Sequence, residues 1–246
     1  MYYIRCWLFY IISFLVVAAS IPLTPILFLN KKIAYWYSYY FTASLVILIE
    51  KVLGITCKIT GLENVPKGEN FIVASKHLSA WETFYLSYYF KIPVFVLKQS
   101  LFMVPVFGWF LWRVGMIGLD RTSGVQMIKK LQRTSRLAIA DKRHIVIFPQ
   151  GTRVPLVNLY DTAKYPYKRG IVTISDAVGH HVPILPVSTN SVEYFGRGFL
   201  SAKKSGKICL HFLKPIQRSH YNNSADFMKS IQNCIEDETR NIFTKL

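Results

Sequence analysis

Acidic residues are scarce in this chain: 13 Asp and Glu stand against 30 Lys and Arg in 246 residues, and charged residues together reach only 17%. So low a charged fraction is unusual for a freely soluble globular protein and implies that part of the apolar surface meets lipid. The net charge of +17 implies an anionic partner, whether nucleic acid, an anionic lipid surface or a phosphorylated substrate. Cysteine is sparse too. Cys6, Cys57, Cys209 and Cys234 lie far apart, which excludes the paired spacings of a zinc site or a redox motif and leaves buried or lipid-facing thiols in a reducing compartment. The chain has no Pro-rich, Gly/Ser-rich or collagenous stretch and no internal repeat, so linkers are short and solenoid architectures are excluded. Its length accommodates one α/β domain plus a short accessory segment, and hardly two independent cores.

What is abundant is apolar. No charged residue interrupts Cys6 to Leu29, and a second uncharged run, Ile33 to Ile49, follows Lys31 and Lys32. Two apolar helices in succession are predicted, forming a membrane anchor over residues 1–53. Pro22 and Pro25 end the first, whose regular part from Cys6 to Ile21 would reach roughly 24 Å at ~1.5 Å per residue. That falls short of a hydrocarbon core of about 30 Å, which favours a helical pair in one leaflet over a spanning hairpin. Charge placement agrees, because a spanning hairpin would put Lys31 and Lys32 opposite the basic domain, against the positive-inside bias. The expectation is a cytoplasmic (inner) membrane protein with its main domain on the cytoplasmic face. Tyr35, Trp36, Tyr37, Tyr39 and Tyr40 suit the headgroup interface. A cleaved leader ending near Ala18, Ala19 and Ser20 is the competing reading, but only Arg5 supplies the required positive flank.

After Gly54 the pattern becomes short β-rich runs alternating with helical ones, as in an α/β domain over residues 54–246 with a largely parallel central sheet flanked by helices. Predicted strands are 55–60, 71–75, 94–97, 116–119, 145–148, 184–187 and 208–212, and predicted helices are 80–90, 124–140, 171–178 and 225–243. Ser123 with Gln126 forms a capping box, after which Val125, Ile128, Leu131, Ser135 and Ala138 share one helical face. In the last helix Phe227, Ile231, Ile235 and Ile242 face the core. This arrangement places His77, residues 150–153 and residues 189–191 just beyond the C-terminal ends of strands, where ligands of open α/β sheets bind.

The segment Ser75-Lys-His77-Leu-Ser79-Ala-Trp-Glu82 carries the chemistry. A histidine oriented by a carboxylate is a general base near neutral pH, and with His77 on a turn and Glu82 in the first helical turn the carboxylate can fold back onto the imidazole. Ser79 to Glu82 is equally a capping box, in which the glutamate merely accepts the Ser79 backbone N–H. The segment alone does not decide between the two.

Further motifs do. His77 with Glu82, then Lys98-Gln-Ser-Leu101 with Pro105, Gly108, Gly115 and Asp120-Arg121, then Phe148-Pro-Gln-Gly-Thr-Arg153, then Val182-Pro-Ile-Leu-Pro-Val187 together resemble the glycerolipid acyltransferase family that includes the bacterial 1-acyl-glycerol-3-phosphate acyltransferases. The resemblance covers most of residues 75–190, and two positions depart from it: Glu82 replaces the usual aspartate and Gln150 the usual glutamate. It implies a fatty acyl transfer from acyl-CoA or an acyl carrier protein, used as cosubstrate without a further cofactor, to the free hydroxyl of lysophosphatidic acid. His77 and Glu82 are then the catalytic pair. Arg153 is the leading phosphate ligand, since a guanidinium grips phosphate oxygens in pairs while Gly151 lets the backbone approach. Thr152 lies beside them, and Lys98 and Arg121 are supporting cations, with a solvated surface charge as the alternative for each. Lys168 and Arg169, with Gly170 at a helix start, read as a plain helix entry, with added positive potential at the site as the alternative. Membrane lipids are the expected partners; a nucleic-acid partner is disfavoured by the apolar runs and the dispersed basic residues. Acylation of glycerol 3-phosphate or another lysolipid, and a non-catalytic lipid-binding role, are the alternatives.

Overall fold

A computed structural model describes all residues except 1, 26, 27, 29, 106, 121, 122, 199, 200, 202, 245 and 246. Two helices come first, α1 (Tyr2–Ser20) and α2 (Lys31–Lys51). There follow β1 (Ile55–Thr60), β2 (Ile72–Ser75), α3 (Trp81–Tyr89), β3 (Val94–Lys98), α4 (Phe107–Arg113), β4 (Ile117–Leu119), α5 (Gly124–Ala140) and β5 (Ile145–Ile147). The chain continues through α6 (Gly170–Val178), β6 (Ile184–Thr189), α7 (Ser191–Tyr194), β7 (Gly206–Phe212) and α8 (Ser224–Thr244).

Among the described residues the strands form one sheet in the order β1-β7-β6-β2-β5-β3-β4. Every pairing is parallel except β6 with β7, so β1 and β7 run together against the other five. The fold is thus the expected mixed α/β arrangement with a mostly parallel sheet. Strand residues alternate between two cores, as a period of two requires. Ile72, Ala74, Val94, Val96, Ile145 and Ile147 meet α5, α6 and α8 on one face. Phe71, Val73, Phe95, Val146, Leu185 and Val187 meet α1, α2 and α3 on the other. All four residues of β2 are buried, as expected of a central strand covered on both faces.

Several expectations are corrected. α1 begins at Tyr2 and includes Arg5, so its 19 residues reach about 28 Å rather than the shorter span inferred from the uncharged run. Among the described residues it is the one helix long and apolar enough, by length and composition, to cross a membrane. It is mostly exposed, but Cys6 and Phe9 join the core that Ile49 and Leu53 share with the sheet. The tyrosine cluster of α2 divides: Trp36 and Tyr40 are exposed, whereas Tyr35, Tyr37 and Tyr39 pack towards Ile92, Val114 and Phe110. Ser123 makes no side-chain cap; the Gln126 N–H bonds the Ser123 carbonyl instead. On α5 Leu131, Ser135 and Ala138 are buried as expected, but Val125 and Ile128 are exposed. The helices α4 and α7 are additional to those predicted. In α8, Phe227, Ile231, Ile235 and Ile242 are buried as expected.

Candidate active site

Five strands end on the same side of the sheet, and those at its centre deliver the site. β6, β2, β5 and β3 are consecutive neighbours, and just beyond or at their C-terminal ends lie Ser191, His77, residues 148–153 and Lys98 respectively. The turn after β2 is held firmly. The Lys76 N–H donates to the Val187 carbonyl at 3.0 Å, and the Val154 N–H donates to the His77 carbonyl at 2.8 Å. The Lys76 side chain runs the other way, fully buried: its ammonium pairs with Glu236 of α8 and donates to the Leu159 carbonyl at 3.1 Å. The Tyr167 hydroxyl donates to the same Glu236 oxygen at 2.9 Å. Burial lowers the Lys76 pKa and Glu236 opposes that shift, as expected of a buried ion pair.

On this turn the His77 ring stacks on Phe148, with centroids 3.9 Å apart and planes 17° from parallel. His77 Nδ1 lies 3.3 Å from Glu82 Oε1. Glu82 is wholly buried and densely satisfied. Its Oε1 also accepts the backbone N–H groups of Leu78 and, at 2.8 Å, Ser79. Its Oε2 lies 2.7 Å from the hydroxyls of both Ser79 and Ser191. Burial by itself pushes this carboxyl up, but His77, the Ser79 N–H and Ser191 together outweigh it and hold the pKa below its ordinary value. Glu82 is therefore an anion at neutral pH, and an imidazole beside it donates from Nδ1 and leaves Nε2 as an acceptor. The cap and the orienting carboxylate turn out to be one arrangement: the oxygen that closes the helix entry also faces the histidine.

His77 sits where two cavities meet. The larger, about 1250 Å³, is lined chiefly by apolar side chains reaching from Val17 and Phe41 of the N-terminal helices to Phe148, and it also takes in Lys98, Gly151, Thr152 and Arg153. The smaller, about 490 Å³, is lined by His77, Thr152, Arg153, Arg197 and Gly198. Gly151 adopts φ +66°, a left-handed turn that suits glycine and swings Thr152 and Arg153 towards His77's cavities. Arg153 Nη1 donates to the Arg197 carbonyl at 3.2 Å, holding the guanidinium at the junction. Of the residues singled out in the sequence, the structure brings together His77, Glu82, Lys98, Gly151, Thr152 and Arg153. Arg121 lies outside the described residues.

The family model described as "Acyltransferase" matches residues 56–190, more than half of the chain. The chain belongs to this acyltransferase family. It is 34% identical over 148 residues to the 1-acyl-sn-glycerol-3-phosphate acyltransferase of Pseudomonas aeruginosa, covering 60% of this chain and 54% of that one. It is 26% identical over 198 residues to the enzyme of the same name from Saccharomyces cerevisiae, covering 79% and 63% respectively. The chain thus spans between half and two-thirds of the length of these relatives. The crystal structure of the 1-acyl-sn-glycerophosphate acyltransferase of Thermotoga maritima superposes with a TM-score of 0.76 over 98% of both chains at 19% identity, which establishes a shared fold.

Among the motif residues, Gln150 is the position that the pattern left open. It is buried and lines neither cavity; its Nε2 donates to the Tyr165 carbonyl at 3.0 Å, and its Oε1 has no partner among the described residues. An amide suits this contact because a carboxylate would have no hydrogen to donate. Lys168 and Arg169, read as a helix entry, do flank the start of α6, but they also line the large cavity. Three residues at the site escaped the sequence reading in these roles. Ser79 and Ser191 complete the cradle of Glu82 from places 112 residues apart, and Ser191 could be sensed only as a polar residue beyond a strand end. Arg197 follows the matched stretch, in a loop with no periodic pattern to place it.

Proposed function

We propose that the protein transfers a fatty acyl group from a thioester, acyl-CoA or an acyl carrier protein, to the free sn-2 hydroxyl of 1-acyl-glycerol-3-phosphate, yielding phosphatidic acid at a membrane. The observation that carries this reading is the position of His77, anchored on an ionised Glu82 at the junction of a long apolar cavity and a cationic recess. Such a junction suits an acceptor with a hydrocarbon tail and a phosphate. In this reading Arg153 grips the phosphate, with Lys98 and Thr152 beside it, and an acyl chain occupies the apolar cavity.

His77 Nε2 takes the hydroxyl proton as the acceptor oxygen attacks the thioester carbonyl carbon. The resulting tetrahedral oxyanion collapses, the carbon–sulfur bond breaks, and the departing thiolate receives the proton from the imidazolium. Glu82 stabilises that transient cation and fixes the ring tautomer. The relatives named for this activity and the apolar α1 support the substrate class and the membrane setting.

The purified, detergent-solubilised protein is to be assayed with labelled acyl-CoA and acyl carrier protein against lysophosphatidic acid, glycerol 3-phosphate and a phosphate-free lysolipid. Phosphatidic acid formation at a rate well above the other acceptors is expected. Preference for either other acceptor, or no turnover with both donors, would overturn the assignment.

A further inference from the structure

Between Lys98 and Arg113 the chain carries no charge, yet α4 and the turn before it lie at the surface. Both sides of this segment are apolar. Its inner side, including Phe110 and Leu111, lines the large cavity. Its outer side presents Met103, Trp109 and Trp112, which are 80%, 52% and 65% exposed and do not line that cavity. A helix at a water-facing surface turns polar residues outward; this one turns indoles outward. Leu101, Val104 and Phe107 are at once exposed and cavity-lining, as are Val17 of α1, Ile21 just after it and Ile128 of α5. These six side chains make an apolar rim where the cavity opens.

We propose that residues 101–105 and 107–112 are embedded in an anionic phospholipid bilayer beside α1, so that the apolar rim opens into the acyl-chain layer. The surface is continuous with the N-terminal helices: the Phe28 ring lies 6.4 Å from Trp112, Arg113 Nη2 donates to the Phe28 carbonyl at 3.3 Å, and Tyr37 of α2 stacks on Phe110 at 5.3 Å. Cations bracket the apolar stretch. Lys98 precedes it, Arg113 ends it, and Lys130 of α5 reaches the adjoining Gln99 at 2.9 Å. Tryptophan with basic neighbours is the composition of a segment resting at the headgroup boundary, and the +17 charge draws such a surface to anionic lipid rather than to a basic protein. The exposed rim explains why Val125 and Ile128, apolar residues on an otherwise core-facing stripe of α5, stay uncovered in the isolated chain.

Since α1 can keep the protein on vesicles by itself, the test reads this segment directly. The full-length chain and its Trp109→Phe/Trp112→Phe variant are reconstituted with vesicles of phosphatidylcholine and phosphatidylglycerol, with and without bromine on the acyl chains. The difference between their emission spectra isolates the two indoles, and circular dichroism of the variant checks that phenylalanine preserves the fold. A blue-shifted difference spectrum that loses intensity with brominated chains and resists aqueous acrylamide is expected. Quenching by acrylamide with no loss to brominated lipid would overturn the proposal. So would indoles shielded from both quenchers in a protein that sediments as a dimer, which would assign the face to a second copy.

Discussion

At the scale of single residues, Glu82 is the position where structure and chemistry are hardest to separate. One carboxylate oxygen serves two backbone N–H groups and the imidazole, and the other serves two hydroxyls. Glu82→Gln keeps an amide oxygen for the N–H groups and an NH₂ that the serine hydroxyls can accept, so the fold survives. The anion is lost. Acyl transfer is expected to fall by about 10²- to 10⁴-fold, the range of a disabled general base, with retained full activity reducing Glu82 to a cap. Stability gives an independent reading with a defined sign. The folded-state pKa of Glu82 is depressed, so the stability it contributes is present above the ordinary carboxyl range and lost as pH falls through the folded value. The gap between wild type and Glu82→Gln, about 1–3 kcal/mol at neutral pH, should therefore close in acid when unfolding is followed by circular dichroism. The pair itself was legible in the sequence because His77 and Glu82 are local and belong to motifs. The serines were not, because Ser191 reaches Glu82 only once β6 lies beside β2.

At the scale of elements, strand positions were readable from alternation and burial-seeking runs, and ends mostly shifted by one or two residues. α4 was not readable. The run from Leu101 to Trp112 is apolar on all sides, so it offers neither a 3.6-residue stripe nor a polar face, and Pro105 suggests a loop. What gives α4 its place is Gly108: a Cβ built there would stand 2.1 Å from the Phe102 carbonyl oxygen, a backbone atom that cannot swing aside. Gly108→Ala should push α4 off the preceding turn at a cost of about 1–3 kcal/mol, as overpacking does. A lowered thermal midpoint in detergent checks this, and an unchanged midpoint would mean the contact relaxes freely. The capping box expected at Ser123 fails for a related reason, since pattern alone cannot say whether the side chain turns towards the helix.

At the scale of the whole molecule, the site depends on distant parts of the chain. α8, the last helix, holds the turn that carries His77 through the buried Lys76–Glu236 pair, whose partners are 160 positions apart. Lys76→Ala leaves the Glu236 carboxylate buried without its cation, at a cost of about 3–5 kcal/mol, whereas Lys76→Met with Glu236→Leu removes both charges and should recover part of that loss. Thermal unfolding of the three proteins side by side checks the coupling; a double variant no more stable than Lys76→Ala would deny it. The sequence indicated a mostly parallel sheet but not its order. The β1–β7 pairing joins residues about 150 positions apart, and nothing local encodes that β7 turns antiparallel to β6. Nor could it reveal a cavity assembled from α1, α2, α4, α5 and the strand ends, because each wall reads locally as ordinary core.

The most direct test of the whole account is the initial rate of phosphatidic acid formation by the purified His77→Ala protein, shown to be folded, beside the wild type. The account predicts a fall to near the uncatalysed background with both acyl donors, because among the described residues that line both cavities, His77, Thr152 and Arg153, only the imidazole takes up a hydroxyl proton. Turnover within a few-fold of wild type would contradict it.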